Sequence, residues 1–221
     1  MEKIADGLYL LGAFPPYVIN VYLMGGVLLD SGTRFAGRRI LRELRGHTVT
    51  AHALTHAHPD HQGSSHFVCE ALGIPLWCGE ADADAAEDPR LILERMPRHP
   101  INRFFAPAVI GPGHPVSRRL REGDEVGGFT VVETPGHCAG HLSYWRASDR
   151  VLVAGDVVAN FSTGTGRAKL RLPPWYFTPD PASNRASARK LAALDPALIC
   201  FGHGPPLRDP LKFLRFVEQA A

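Results

Sequence analysis

Between positions 56 and 61 the chain carries four side chains of the kind that bind metal ions, His56, His58, Asp60 and His61, in the pattern His-x-His-x-Asp-His. Imidazole nitrogen and carboxylate oxygen are donors that zinc and iron accept, and four such groups in six positions would build a poor core. The histidine and aspartate frequencies of this chain give roughly one accidental match in a thousand chains of its length. The chemistry indicated is metal binding rather than a solvated polar turn. Further candidates stand in three short glycine-containing runs: His137 and His141 in the stretch 134–141, Asp156 after Gly155, and His203 between Gly202 and Gly204. Alone, a Gly-Asp or a Gly-His-Gly is ordinary turn chemistry. Here each falls where the first motif needs partners.

The elements that must position these residues can be read around them. Residues 51–54 are apolar and read as a short buried strand, and Pro59 restricts His58 to an extended or turn conformation. The spacing therefore predicts a loop at a strand end that aims four side chains at one point. Upstream, residues 8–11, 18–24 and 27–29 read as strands of consecutive hairpins, and the last runs into Asp30. Two readings stay open for Asp30, a partner of a metal-binding histidine or a turn former. Residues 35–44 and 63–72 have helical spacing, the second ending at Gly73. Strands are predicted at 74–78, 116–120, 129–133, 142–145, 151–154 and 197–201, and helices at 181–194 and 210–219. Hairpins, helix, strand and helix occur twice, as in two similar halves with one sheet each.

Two stretches break this rhythm. Residues 80–114 read as an insertion over the site, whose arginines and phenylalanines pack on its own helices in preference to binding an anion. The loop 159–174 is rich in glycine and cations and leads to Trp175, Tyr176 and Phe177. Both are expected to wall a substrate cleft, with Arg167, Lys169 and Tyr176 as contacts. Cys138, next to His137, either faces the metal cavity or fills a turn. His66 reads as an ordinary packed or exposed histidine, and His47, His52, His99 and His114 receive no role.

Composition narrows the function classes. A length of 221 residues suits a single α/β domain spanning 1–221 with ample core. The formal net charge of +2 is spread along the chain, without the polybasic arm or acidic tail that would indicate nucleic acid or membrane as a partner. Four scattered cysteines suggest neither a disulfide framework nor a zinc knuckle. No secretory signal or membrane span is visible, so a cytoplasmic protein acting on a small molecule is expected.

The motifs taken together resemble the metallo-β-lactamase superfamily. The family's His-x-His-x-Asp-His stands at His56 to His61, its later histidine at His137, its aspartate at Asp156 and its last histidine at His203. The resemblance implies an αββα sandwich of two mixed sheets flanked by helices, with the metals in a cleft at the sheet edge. It further implies two divalent ions, zinc first, with iron or manganese as alternatives. His56, His58 and His137 would hold one, Asp60, His61 and His203 the other, and Asp156 would bridge them. The activity implied is hydrolysis of an ester, thioester or lactone by a hydroxide held between the metals, with Asp60 and Asp156 as catalytic carboxylates. His141 is expected to support a ligand rather than be one.

Within the superfamily the pattern is closest to the glyoxalase II, thioesterase and lactonase group. The commonest β-lactamases carry cysteine where Asp156 stands, and flavodiiron relatives carry glutamate where His58 stands. Glyoxalase II has a further helical domain that helps bind glutathione, so a glutathione thioester is not specifically indicated by one helix after His203. The rival reading is a mononuclear iron persulfide dioxygenase using His58, His137 and Asp156. A nuclease of the same fold is disfavoured by the near-neutral charge.

Overall fold

Strand residues point alternately to opposite sides, so the question for each strand is what covers its two faces. In the computed structural model, which describes residues 1–12, 15–162 and 164–220, seven strands form one sheet in chain order. They are β1 (Glu2–Ala5), β2 (Leu8–Leu10), β3 (Tyr22–Met24), β4 (Val27–Leu29), β5 (Ala51–Ala53), β6 (Leu76–Gly79) and β7 (Val116–Leu120). From β1 to β4 neighbours run antiparallel, and from β4 to β7 they run parallel. The second sheet contains β8 (Glu125–Val126), β9 (Phe129–Glu133), β10 (Leu142–Arg146), β11 (Val151–Val153) and β14 (Leu198–Cys200), in the order β14-β11-β10-β9-β8. Only its β11–β14 pair is parallel. A small antiparallel pair, β12 (Ala159–Asn160) and β13 (Leu170–Arg171), lies apart.

Tyr22, Met24, Val27 and Leu29 face the second sheet and pack with Phe129, Val131, Tyr144, Val151 and Val153. Their neighbours Leu23 and Leu28 pack instead with Ile40 of α1 (Gly37–Glu43) and Val68 of α3 (Ser65–Leu72). On the far side Leu152 and Ile199 meet Ala188 and Leu191 of α7 (Pro181–Ala192) and Phe213 and Val217 of α8 (Pro210–Ala220). The layers are helix, sheet, sheet, helix, the expected αββα sandwich. Because both faces are covered, β3, β4, β11 and β14 are buried at every residue, which explains why these strands read as continuous apolar runs.

Two local expectations need correction. His58 is extended as its proline demands, with φ −73° and ψ 156°, but Pro59 then opens a one-turn helix, α2 (Pro59–Gln62), rather than prolonging a loop. Proline is preorganised for the first helical position, so Asp60 and His61 ride on a helical turn. The strand expected at 18–24 shortens to β3, and β1, β8, β12 and β13 appear where no strand was expected. The insertion folds as α4 (Ala83–Glu87), α5 (Pro89–Arg95) and α6 (Pro100–Val109). Asp88 caps α5 by accepting the Arg90 N–H, and Arg90 and Arg95 are engaged by Asp88 and Asp84. Those two arginines therefore serve the insertion's own packing, whereas Phe104 and Phe105, expected to pack with them, are exposed. No helix among the described residues is long and apolar enough to cross a membrane.

Candidate metal centre

The seven ligand candidates converge from strand ends of both sheets. His56, His58, Asp60 and His61 follow β5, His137 precedes β10, Asp156 follows β11 and His203 follows β14. Backbone bonds lock these ends together: Leu142 N–H donates to the Thr55 carbonyl at 2.7 Å, and Gly202 N–H to the Gly155 carbonyl at 2.9 Å. Glycine is required where the runs approach most closely. A Cβ at Gly202 would overlap Asp156 Oδ1, and one at Gly204, whose φ is +100°, would overlap the Asn160 carbonyl.

Four of the histidines are held by one ring nitrogen and offer the other. His61 Nδ1–H donates to Asp30 Oδ2 at 2.8 Å, and His56 Nδ1–H to Thr55 Oγ1 at 3.0 Å, the hydroxyl itself donating to Asp30 at 2.8 Å. His137 Nδ1 pairs with Thr178 Oγ1 at 3.2 Å, and His203 Nδ1–H donates to the Val18 carbonyl. Such outer partners fix the tautomer and turn Nε2 toward the centre. There, Nε2 of His56, His61 and His137 and Oδ1 of Asp156 are buried without a hydrogen-bond partner among the described residues. Orphaned buried donors and acceptors are costly unless something binds them, and nitrogen and carboxylate oxygen suit zinc or iron. The residues present fit a metal.

Two groups of donors can be distinguished. Ligand atoms of His56, His137 and Asp156 lie within 4.8 Å of one another, and so do those of Asp60, His61 and His203. His58 stands edge-on to His56 and His137, with ring centres 4.7 and 4.5 Å away. Asp156 Oδ2 joins the groups, lying 3.5 Å from His137 Nε2, 3.6 Å from His61 Nε2 and 3.1 Å from His203 Nε2. The electrostatics differ on the two sides. Burial lowers His56 and His137 well below the ordinary imidazole value and His58 to about 4, which leaves them neutral, as ligands must be. Burial also opposes charge on His61 and His203, but Asp30 and Asp156 outweigh it at His61, and Asp156 and Asp60 at His203. His61 is raised well above the usual value and His203 to about 10. The carboxylate field that holds protons on this side would hold a cation in their place.

Residues 14–203 match the model of the metallo-beta-lactamase superfamily. The chain belongs to that superfamily. The probable metallo-hydrolase YflN of Bacillus subtilis (strain 168) is 29% identical over 203 residues, covering 82% of this chain and 76% of that protein. A hydroxyacylglutathione hydrolase of Methylobacterium nodulans is 41% identical over 106 residues, 46% of this chain and 38% of the relative. Among solved structures, TTHA1623 in a di-iron-bound form shares 28% identity with a TM-score of 0.61, covering 91% of this chain and 88% of that one.

Residues outside the motifs do much of the positioning. Asp82 Oδ2 accepts the Ala57 N–H at 3.1 Å and Oδ1 the Gly140 N–H at 2.8 Å, tying the first ligand loop to the His137 loop. Asn20 Nδ2 donates to the Phe201 and Gly204 carbonyls at 2.9 and 2.7 Å and so brackets His203. Neither carries a local signal, because an acidic helix start and an asparagine between strands are common. His141 accepts the Asp156 N–H on Nε2 at 3.0 Å and pairs with Thr134 Oγ1 through Nδ1 at 2.8 Å, so both of its nitrogens are committed and it braces the backbone at Asp156. Cys138 Sγ does come within 4.8 Å of donor atoms of His56 and His58, though burial pushes its thiol well up and keeps the proton on sulfur.

A cleft of about 320 Å³ opens onto His58, Asp60, His137, Asp156 and His203. Its walls are Ile101, Phe105 and Val109 of α6, with Phe161, Pro173 and Phe177 opposite. Both stretches expected to wall a cleft do so. The named contacts are different: Arg167 and Lys169 are exposed and Tyr176 stacks on His99 with ring centres 4.7 Å apart, none of them lining the cleft. Arg171 lines it instead, with a buried Nε that finds no partner among the described residues. Residue 163 of that loop lies outside the described residues.

Proposed function

We propose that this chain is a dinuclear metal-dependent hydrolase that cleaves an ester, thioester or lactone bond in a small molecule with an apolar acyl part. The observation that carries the reading is the position of Asp156 Oδ2 between His137 on one side and His61 and His203 on the other. A single carboxylate oxygen within reach of both donor groups is what bridging two cations requires. His56, His58 and His137 would hold one ion, Asp60, His61 and His203 the second, with zinc, iron or manganese compatible with the donors. When bound, such a pair supplies a water that is deprotonated near neutral pH and a Lewis acid for the acyl oxygen.

The chain's own groups supply the rest. Asp60, partly exposed to the cleft and 3.3 Å from His203 Nε2, would accept and orient a proton at the reaction centre. Ile101, Val109 and Phe161 would exclude water and, with Phe105 at the rim, take up an apolar acyl group. Arg171 is the one arginine in a described cleft lining that contains no lysine, and it can receive a carbonyl or carboxylate of the substrate. The relatives that hydrolyse hydroxyacylglutathione support a thioester in particular, although this chain spans 38% of the Methylobacterium nodulans protein. Metal analysis of protein purified without chelator, combined with assays on glutathione and acyl thioesters, lactones, aryl esters and phosphodiesters, tests the reading. Two metals per chain with chelator-sensitive cleavage of an acyl substrate are expected. A protein that holds one iron after reconstitution and consumes oxygen with a persulfide, without hydrolysing any of the panel, would overturn it.

A further inference from the structure

A second convergence of donors lies outside the cleft. His66 and Glu70 occupy successive turns of α3 at i and i+4, and therefore share a face of the helix. Opposite them stands His114, in the segment between α6 and β7. His66 Nδ1 is 3.3 Å from His114 Nδ1, and Glu70 Oε1 is 3.8 Å from His114 Nδ1. One donor atom from each residue lies within 4.8 Å of the other two. An N–H···N bond accounts for the imidazole pair, but the carboxylate is too far for a hydrogen bond and is left converging on the pair without a bond to it.

The separation also matches what a shared ion would impose. Two imidazole nitrogens bound at ~2.0–2.1 Å to one tetrahedral zinc are ~3.3–3.4 Å apart. His114 is also placed firmly. Its backbone N–H donates to the Ala86 carbonyl at 3.1 Å, a Cβ on Gly113 would overlap the Glu87 carbonyl, and one on Gly111 would overlap the Gly63 carbonyl. His66 and His114 are half-buried and Glu70 is exposed, so three protein donors face a side open to water. Burial, and then the neighbouring His66, lower His114 below the ordinary imidazole value, which keeps it in the neutral, ligand-competent form at neutral pH.

We propose that His66, Glu70 and His114 form a peripheral site for one divalent transition metal of the zinc class. Two imidazoles and one carboxylate with water completing the shell suit zinc, nickel or copper and disfavour calcium and magnesium, which take oxygen ligands. The ion would fasten the segment that follows α6, a wall of the cleft, to α3, the helix that follows the ligand turn. Its function is structural, and the proposal stands independently of the hydrolytic reading because none of the three residues lines the cleft.

The test compares wild-type protein with a His66→Gln/His114→Gln variant after both are saturated with zinc and dialysed against micromolar zinc. Wild type is expected to retain one zinc more per chain than the variant, and added zinc is expected to raise its melting temperature by about 2–4 °C more than the variant's. Glu70→Gln, at an exposed position, serves as a second variant should the double substitution fold poorly, and is expected to weaken the extra zinc by roughly tenfold or more. Equal zinc content and equal zinc-induced shifts in wild type and Glu70→Gln, or an extra zinc in wild type that binds only at millimolar concentration, would overturn the proposal.

Discussion

The Asp30 carboxylate accepts the Nδ1–H of His61 at 2.8 Å while its other oxygen accepts the Thr55 N–H at the same distance, from a backbone with φ +60° at the end of β4. A non-glycine residue in that left-handed conformation is uncommon, and here the three bonds to Thr55 and His61 account for it. Asp30→Asn keeps the size and removes the charge. Metal affinity on the His61 side is expected to fall ~10–100-fold, the usual cost of losing such a partner. Competition with a coloured chelator reads this directly, and unchanged affinity would mean that Asp30 only forms a turn.

His203→Ala distinguishes two metals from one. The variant should hold about one metal per chain in place of two, and hydrolysis should drop by at least roughly a hundredfold, as when a major electrostatic contributor is deleted. Asp156→Ala, which touches both donor groups, should disable the centre altogether. A His203→Ala protein with both metals and full activity would remove the second metal from the proposal.

Arg171→Met keeps an unbranched apolar stem while deleting the cleft's guanidinium. For a substrate with a carboxylate or second carbonyl, KM should rise by about tenfold with kcat changed far less, the signature of lost uniform binding. Arg167→Ala and Lys169→Ala, both at exposed positions, should leave both constants near wild type. Were all three variants alike, substrate would enter by another wall.

His52 supplies a pH dependence remote from the cleft. It is fully buried, donating through Nδ1 to the Leu28 carbonyl at 3.0 Å and pairing through Nε2 with Ser65 Oγ at 2.8 Å, and burial lowers it to about 4. The unfolded chain takes up this proton near 6.5 and the folded chain only near 4, so stability is lost as pH falls through that window, by about 3 kcal/mol at its lower end. His52→Gln should show a shallower fall in denaturation midpoint between pH 6.5 and 4. Parallel curves for the two proteins would refute this assignment.

The sequence alone singled out the seven donor candidates and, through the motif resemblance, predicted the layer order. Four donors in six positions and apolar runs broken by glycine are local patterns, and strands covered on both faces must write themselves as such runs. Tertiary structure decided everything that depends on residues distant in sequence meeting in space. Asp82 and Asn20 became positioning residues only because carbonyls and amides from other strand ends arrive beside them. Arg171 displaced Arg167 and Lys169 as the cleft cation because the short β12–β13 ladder turns that side chain inward and leaves the other two in water. His66 and His114 stand 48 positions apart. No spacing rule connects them, and their meeting at 3.3 Å follows from the path that the insertion takes back to α3.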